Sequence, residues 1–543
     1  MNKKRLPKST YPNRYEIELD VDLDNFSYTG AQKVDLNVVE ATNNIVLNSV
    51  GIEVTKAKIQ TTKQDIPLEV NYIEEDEKIV FESQETLSEG VYELYLEFNS
   101  EITNDLKGFY KSSYMSEDGE KKWIATTQFE PTAARSAFPC WDEPEYKAIF
   151  SMTIITDEKY LRVSNEMVVE EEKVENNKLR TKFADSMKMS SYLVAFVIGD
   201  LEATVVGKSK TTDIRIIHRP GFSHQTSYAG TAAIKLLDFF EDYYKIPYPG
   251  TKLDLIAIPD FAMGAMENVG AVTFRENLLL FDKDKATRSE LDRSITVIAH
   301  ELAHMWFGDL VTMKWWDGIW LNEAFASLME VIASYNTYPE FKQWNAMNMS
   351  RTAGFSIDSL ENSRPVEFDV ETPDQAEEMF DVLTYEKGST VLRMFQMFIG
   401  EEAFQNGVEA YLNKFKFENT NSSDLWDALS EASNQPLNKI LPFWIREKGY
   451  PFLQVDCSNN FLTIKQKPFL LKNVDTDKNN IKPVPVQIKF LDTGNEEKLL
   501  LDETERVIDL KNLGKVPHVN SGGWGFFHTF YDDEVFENIL ANF

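Results

Sequence analysis

The 543 residues contain only two cysteines, six histidines and no run of eighteen consecutive apolar residues. Cys140 and Cys457 stand 317 positions apart. They cannot form the disulfide framework of a small secreted domain, and reduced thiols in a cytoplasmic protein are the expectation. Without a long apolar run no transmembrane helix is expected. The opening MNKKRLPKSTYPNRYEIELD is basic but lacks an apolar core behind it, so no secretory signal is expected either. Positive charge is scarce: 56 lysines and arginines against 88 acidic residues leave a formal charge of −32. Such a field repels nucleic acid and anionic membrane surfaces and favours cationic partners, although the same charge also serves plain solubility.

Apolar residues make up 43% of the chain and aromatic residues 12%, as in a folded globular protein. The length exceeds the roughly 250–300 residues at which one hydrophobic core stops growing, so about three domains are expected. The first 200 residues read mainly as strands. RYEIELDVDLD sets Tyr15, Ile17, Leu19, Val21 and Leu23 against charged partners, VYELYLEF alternates in the same way, and SSYLVAFVIGD reads as a buried strand. Helical spacing then takes over. GTAAIKLLDFFEDYYKIPYPG reads as a helix closed by Pro247, Pro249 and Gly250. ATRSELDRSITVIAHELAHMWFG offers a capping box at Thr287 and Glu290 and a stop at Gly308. After Gly449 the strands return in FLTIKQK and VPVQIKF. The expected fold is α+β and multidomain: an N-terminal β-sandwich or saddle over 1–200, a mixed helix-rich domain over 201–449, and a small C-terminal β-sandwich over 450–543.

Two of the six histidines lie four apart in VIAHELAHMWFG. On a helix His300 and His304 share one face, and an imidazole pair with a third ligand from elsewhere leaves tetrahedral zinc one open position. Glu301, one residue round the helix, is placed to take a proton from water rather than to bind the metal. Chance supplies only about 0.006 such H-E-x-x-H matches in a chain of this composition. The third ligand should be His, Asp or Glu on a neighbouring element. Glu323 in WLNEAFASLMEV follows His304 after eighteen residues, room for one helix to end and a second to return beside it. No cysteines lie near enough to close a structural site, so a catalytic one, with one Zn²⁺ per chain, is expected.

H-E-x-x-H followed by eighteen residues and glutamate resembles the gluzincin pattern, and with GAMENVGAVTF at 264–274 it resembles the M1 family of zinc aminopeptidases. TQFEPTAARSAFPCWDEP, VSNE, MSSYLVAFVIGD and YEKGSTVLRMF resemble family segments in family order, over nearly the whole chain. The resemblance implies a thermolysin-like central domain and hydrolysis of the first peptide bond of peptides with a free amino terminus. It implies that Glu267, in the stretch Gly264, Ala265, Met266, Glu267 and Asn268, anchors the substrate ammonium together with Gln128 and Glu130. Carboxylates suit that task because a buried ammonium without counter-charge is costly. Gly264 is small enough to let backbone approach the substrate. Tyr385 matches the family tyrosine that donates to the developing oxyanion. Taken alone, GAMEN would be a turn and Tyr385 one packing residue among 21 tyrosines. Met263 resembles the position that floors the side-chain pocket, which implies neutral, hydrophobic or small first residues. The fold-only alternative for Met263 is a place in the core.

The chain departs from the family pattern at Ala133, often aspartate, at Asp309, often asparagine, and at Thr384, often serine. It also ends at FENILANF, where many members continue into a helical domain, and a monomer is expected. An epoxide-opening relative of the same superfamily is the alternative, but its motif has a second glycine where Ala265 stands. A non-catalytic scaffold would have lost one or more of His300, Glu301, His304, Glu323 and Tyr385, and all five are present. His218 and His224, six apart, and His518 and His528 carry no ligand spacing, and neither do the two cysteines.

Overall fold

A computed structural model describes residues 5–61, 64–471 and 481–543; the first four residues of the basic opening lie outside that range. The chain divides into two compact units. One comprises Met1–Trp316 with Glu371–Glu377 and Phe415–Thr420. The other comprises Asp317–Val370, Glu378–Lys414 and Asn421–Phe543.

The first unit begins with a ten-stranded sheet in which Thr10–Asp22 pairs antiparallel with Ser27–Val38 and parallel with Ile149–Asp157. The alternation read in this strand is real: Tyr15, Ile17, Leu19 and Val21 are buried. A four-stranded sheet follows, and its strand Lys121–Gln128 delivers Gln128 at its end. SSYLVAFVIGD is not one continuous strand. A short 3-10 turn, Ser191–Leu193, precedes the strand Phe196–Gly199. Asn165 explains the break: its amide donates to the Leu193 carbonyl at 2.8 Å and its oxygen accepts from Ala195 N at 2.9 Å, standing in for ladder bonds.

The third sheet of this unit has five strands in the order Glu202–Ser209, Thr212–His218, Lys252–Ile258, Ala271–Arg275, Ala265–Met266. Helix α1 (Ser227–Tyr244) is the crossover between the two parallel strands Thr212–His218 and Lys252–Ile258. It ends earlier than the proline cluster suggests, because Lys245 turns left-handed at φ 54°. The prolines only prevent the helix from restarting. Helix α2 (Arg288–His304) starts at the expected capping box. Glu290 N donates to Thr287 Oγ1 at 3.3 Å and Thr287 N donates to Glu290 Oε2 at 2.8 Å. Such a cap stabilises a helix by about 1 kcal/mol. Here it fixes where the turns of α2 fall, and so which residues share its inner face.

The second unit opens with α3 (Trp320–Thr337) and α4 (Gln343–Asp358). A π-helical turn, Leu383–Lys387, runs into the helix Gly388–Ile399, and the helices Glu401–Lys414 and Ser422–Ser433 follow. Beyond Gly449 come a four-stranded and a three-stranded sheet, with Phe461–Phe469 and Val484–Phe490 where the alternation places them, and a last helix, Asp533–Asn542. The chain is a multidomain α+β protein. Among the described residues, no helix is long and apolar enough to cross a membrane.

Candidate active site

The last turns of α2 carry the histidine pair. His300 Nε2 and His304 Nε2 lie 3.1 Å apart, with the rings 4.7 Å between centroids. His304 is 1% exposed, and its Nδ1 lies 2.9 Å from the Phe307 carbonyl. A carbonyl can only accept, so the hydrogen is on Nδ1 and Nε2 is the ring nitrogen that can offer a lone pair to a metal. A tetrahedral ion 2.0–2.1 Å from two nitrogens holds them about 3.3 Å apart, close to the spacing that this helix presents. The donors therefore fit a metal ion.

Carboxylates gather round the buried imidazole. Among the described residues, Glu267, Glu301 and His304 each offer a ligand atom within 4.8 Å of the others, and all three are buried. Glu267 Oε1 lies 3.8 Å from His304 Nδ1. Glu267 follows directly on Ala265–Met266, the outermost strand of the five-stranded sheet, which pairs with Thr273 and Phe274. Gln128 reaches the same stretch, donating from Nε2 to Met266 Sδ at 3.3 Å. Its Oε1 is buried and has no partner among the described residues. Asn268 is buried and turns inward, donating to Thr273 Oγ1 at 3.2 Å. It supports the turn. Gly264 is not in the left-handed region, and a Cβ there would meet Leu278 and Val297 only at 3.8 and 4.0 Å. The Gly264 carbonyl accepts from Arg275 N at 2.9 Å. Met263 is 46% exposed, so it does not belong to the core. Glu130 is half-buried.

Why the distant motifs matter becomes visible at Gly270. Its φ is +72°, and a Cβ would stand 2.0 Å from the Asn165 carbonyl, so only glycine fits. Asn165, in VSNE, donates to the Val269 carbonyl at 2.9 Å. Lys252 Nζ donates to the carbonyls of Ser164 and Gly270 at 2.7 and 2.6 Å. The VSNE segment thus braces the turn that presents Glu267, a role no local pattern announces.

Glu323 and Tyr385 belong to the second unit. Glu323 lies in the first turn of α3 and is 3% exposed. Tyr385 sits in the π-helical turn and is partly exposed. Gly388 lets that turn press against α3, since a Cβ there would stand 2.6 Å from Ala324 Cβ. The buried pair Lys387–Asp358, 2.8 Å apart, ties the turn to α4. Arg364 holds Asp381 at 2.6 Å and donates to Thr384 Oγ1 at 3.0 Å, so Thr384 supplies the oxygen that a serine would.

Two buried groups behind α2 were not legible as functional. Asp309 is fully buried, and neither carboxylate oxygen has a partner among the described residues. Burial and the nearby Glu267 and Glu301 push its carboxyl well above the usual range, against the pull of Lys147. Lys147 is pushed down to about 7 by burial, with Asp309 opposing. The remaining histidines of the first unit are structural. His218 is bound by Thr204 at 2.7 Å and the Arg219 carbonyl at 2.8 Å, and His224 lies at the Gly221 carbonyl at 3.1 Å.

A helix-borne histidine pair with a neighbouring carboxylate, on a mixed sheet preceded by two β-sheets, is the architecture of a metallopeptidase family. The profile of the peptidase M1 N-terminal domain matches residues 11–193 and that of the peptidase family M1 domain residues 228–444. The chain belongs to peptidase family M1. It is similar to aminopeptidase M1 of Arabidopsis thaliana, 40% identical over 98% of this chain and 62% of that protein. It is also similar to a puromycin-sensitive aminopeptidase of Caenorhabditis elegans, 36% identical over 99% of this chain and 58% of that protein. The alanine/arginine aminopeptidase of Saccharomyces cerevisiae is 36% identical over 98% of this chain and 62% of its own length. The chain spans about three fifths of the length of these relatives.

Proposed function

We propose that the chain is a zinc-dependent aminopeptidase that hydrolyses the first peptide bond of peptides with a free amino terminus. The observation that carries this reading is the pair of Nε2 atoms 3.1 Å apart on α2, beside the buried carboxylates Glu267 and Glu301. His300, His304 and Glu323 would hold one zinc ion, a set that the eighteen-residue spacing supports. When bound, zinc supplies Lewis acidity, lowering the pKa of a water and polarising a carbonyl. The side chains do the rest. Glu301 accepts the proton of the attacking water and returns it to the leaving amine. Tyr385 donates to the oxyanion without changing its own charge. Glu267 and Glu130, with Gln128 beside them, hold the substrate ammonium and so measure one residue from the reacting carbonyl.

The exposed Met263 supports a broad preference for neutral or hydrophobic first residues, since a thioether adapts to many shapes. The free thiols Cys140 and Cys457 suit a cytoplasmic location. The proposed partners are peptides alone, with no nucleic acid or membrane, and a monomer is the proposed state. A panel of aminoacyl-anilides with free and acetylated amino termini tests the substrate class. Free amines should turn over at least a hundredfold faster, the scale of one buried charge pair. Equal rates would sink the ammonium anchor.

A further inference from the structure

Behind the metal helix lies a turn whose backbone geometry is unusual. The carbonyls of His304, Met305 and Trp306 accept from the N–H groups of Asp309, Leu310 and Val311, at 3.1, 3.3 and 3.2 Å. These are bonds across five residues rather than four, so α2 ends in a wide turn. The widening lets the Phe307 carbonyl face back toward the helix and meet His304 Nδ1.

The bracing comes from the N-terminal β region of the same unit. Lys147 is 4% exposed, and its Nζ donates to the carbonyls of Asp309 and Leu310 at 3.0 and 3.2 Å. Tyr192, also buried, donates its hydroxyl to the Gly308 carbonyl at 3.2 Å. Phe417 N adds a bond to the Leu310 carbonyl at 2.8 Å, and Gly308 N closes on the Val311 carbonyl at 2.9 Å. Lys147 is an expensive way to satisfy two carbonyls. A buried ammonium costs several kcal/mol in desolvation, and these two hydrogen bonds both go to neutral carbonyl oxygens. Peptide N–H groups or a buried serine would serve folding at less cost. The lysine is distinctive in its reach: it spans from WDEPEYK in the β region to two successive carbonyls in the turn that follows α2.

We infer that Lys147 is a positioning residue for the metal centre: its clamp on the carbonyls of Asp309 and Leu310 holds the wide turn whose Phe307 carbonyl fixes the ring and tautomer of His304. The chain of contacts runs from Lys147 Nζ through the turn to the Phe307 carbonyl, to His304 Nδ1, and so to the Nε2 that faces the metal. Tyr192 is the second clamp. Neither side chain touches substrate or metal. Partners one step beyond a metal ligand typically set affinity by 10- to 100-fold. This inference rests on the proposed metal site, and the test separates the two.

Zinc affinity is measured by competition with a chromophoric chelator on the full chain, as wild type, Lys147→Met and Tyr192→Phe, together with the melting temperature of each metal-free protein. Lys147→Met keeps the length of the side chain and removes its donors. It should weaken zinc binding about 10- to 100-fold, and Tyr192→Phe should weaken it by a smaller factor. Excess zinc should restore kcat in both, with KM unchanged. A purely structural role would instead lower the melting temperature of the metal-free protein and leave the affinity of the folded fraction untouched. Affinity within twofold of wild type in the folded variants overturns the inference. If Lys147→Met does not fold, Tyr192→Phe decides: weakened zinc binding supports the clamp and unchanged binding overturns it. A wild-type chain that binds no zinc overturns the metal site itself, and the inference falls with it.

Discussion

Glu301→Gln is expected to lower kcat by about 10²–10⁴-fold, the usual contribution of a positioned proton-transfer group, while the protein still binds metal and folds. The substitution conserves volume at a residue only 5% exposed on the helix that carries His300 and His304, so packing has little reason to change. It removes the one property the chemistry needs, a lone pair basic enough to accept a proton from water. Neighbouring carboxylates cannot take over. In the proposed mechanism Glu267 holds the substrate ammonium, and Asp309, its carboxyl pushed up by burial, follows the end of α2 and donates its N–H to the His304 carbonyl. Steady-state kinetics with metal analysis on the same sample check this. A variant with a full complement of metal and wild-type kcat would remove Glu301 from the reaction.

Glu267→Gln is the second large effect. Removing one partner of a buried charge pair costs about 2–5 kcal/mol, or roughly 30- to several-thousand-fold in kcat/KM. That loss should be confined to substrates with a free amine, because an acetylated terminus has no charge to lose. The ratio of free to acetylated turnover should therefore collapse toward one, even as the absolute rate on acetylated substrate stays where it was. Glu267 is 3% exposed and stands next to a strand whose pairing does not involve its side chain, so the fold should survive. Equal losses on both substrate types would point to a role in the metal site rather than in recognition of the terminus.

The local parts of this site were legible because local rules govern them. Four-residue spacing on a helix puts His300 and His304 on one face whatever surrounds them, and the capping box at Thr287 and Glu290 fixed the start of α2. Strands with one buried face, such as Thr10–Asp22 and Val484–Phe490, announced themselves by alternation. What escaped was long-range. The break in SSYLVAFVIGD came from Asn165, thirty residues earlier. The π-helical setting of Tyr385 depends on Gly388 meeting Ala324, a contact between two helices that neither one predicts alone. Asp309 drew notice only as an unusual residue in the motif, and Lys147 drew none, because a buried lysine looks like any other in a sequence. The substrate anchors were legible only through the family resemblance: a glutamate in GAMEN has no periodicity that distinguishes it from a turn residue.

If one zinc ion held by His300, His304 and Glu323 makes this chain a peptidase, activity must leave with the metal and return with it. The protein is dialysed against a chelator until metal analysis finds none, assayed on a free aminoacyl-anilide, and then titrated with zinc. The expected result is no turnover in the metal-free protein and a linear return of activity that breaks at one zinc per chain. Full activity in the metal-free protein would contradict it.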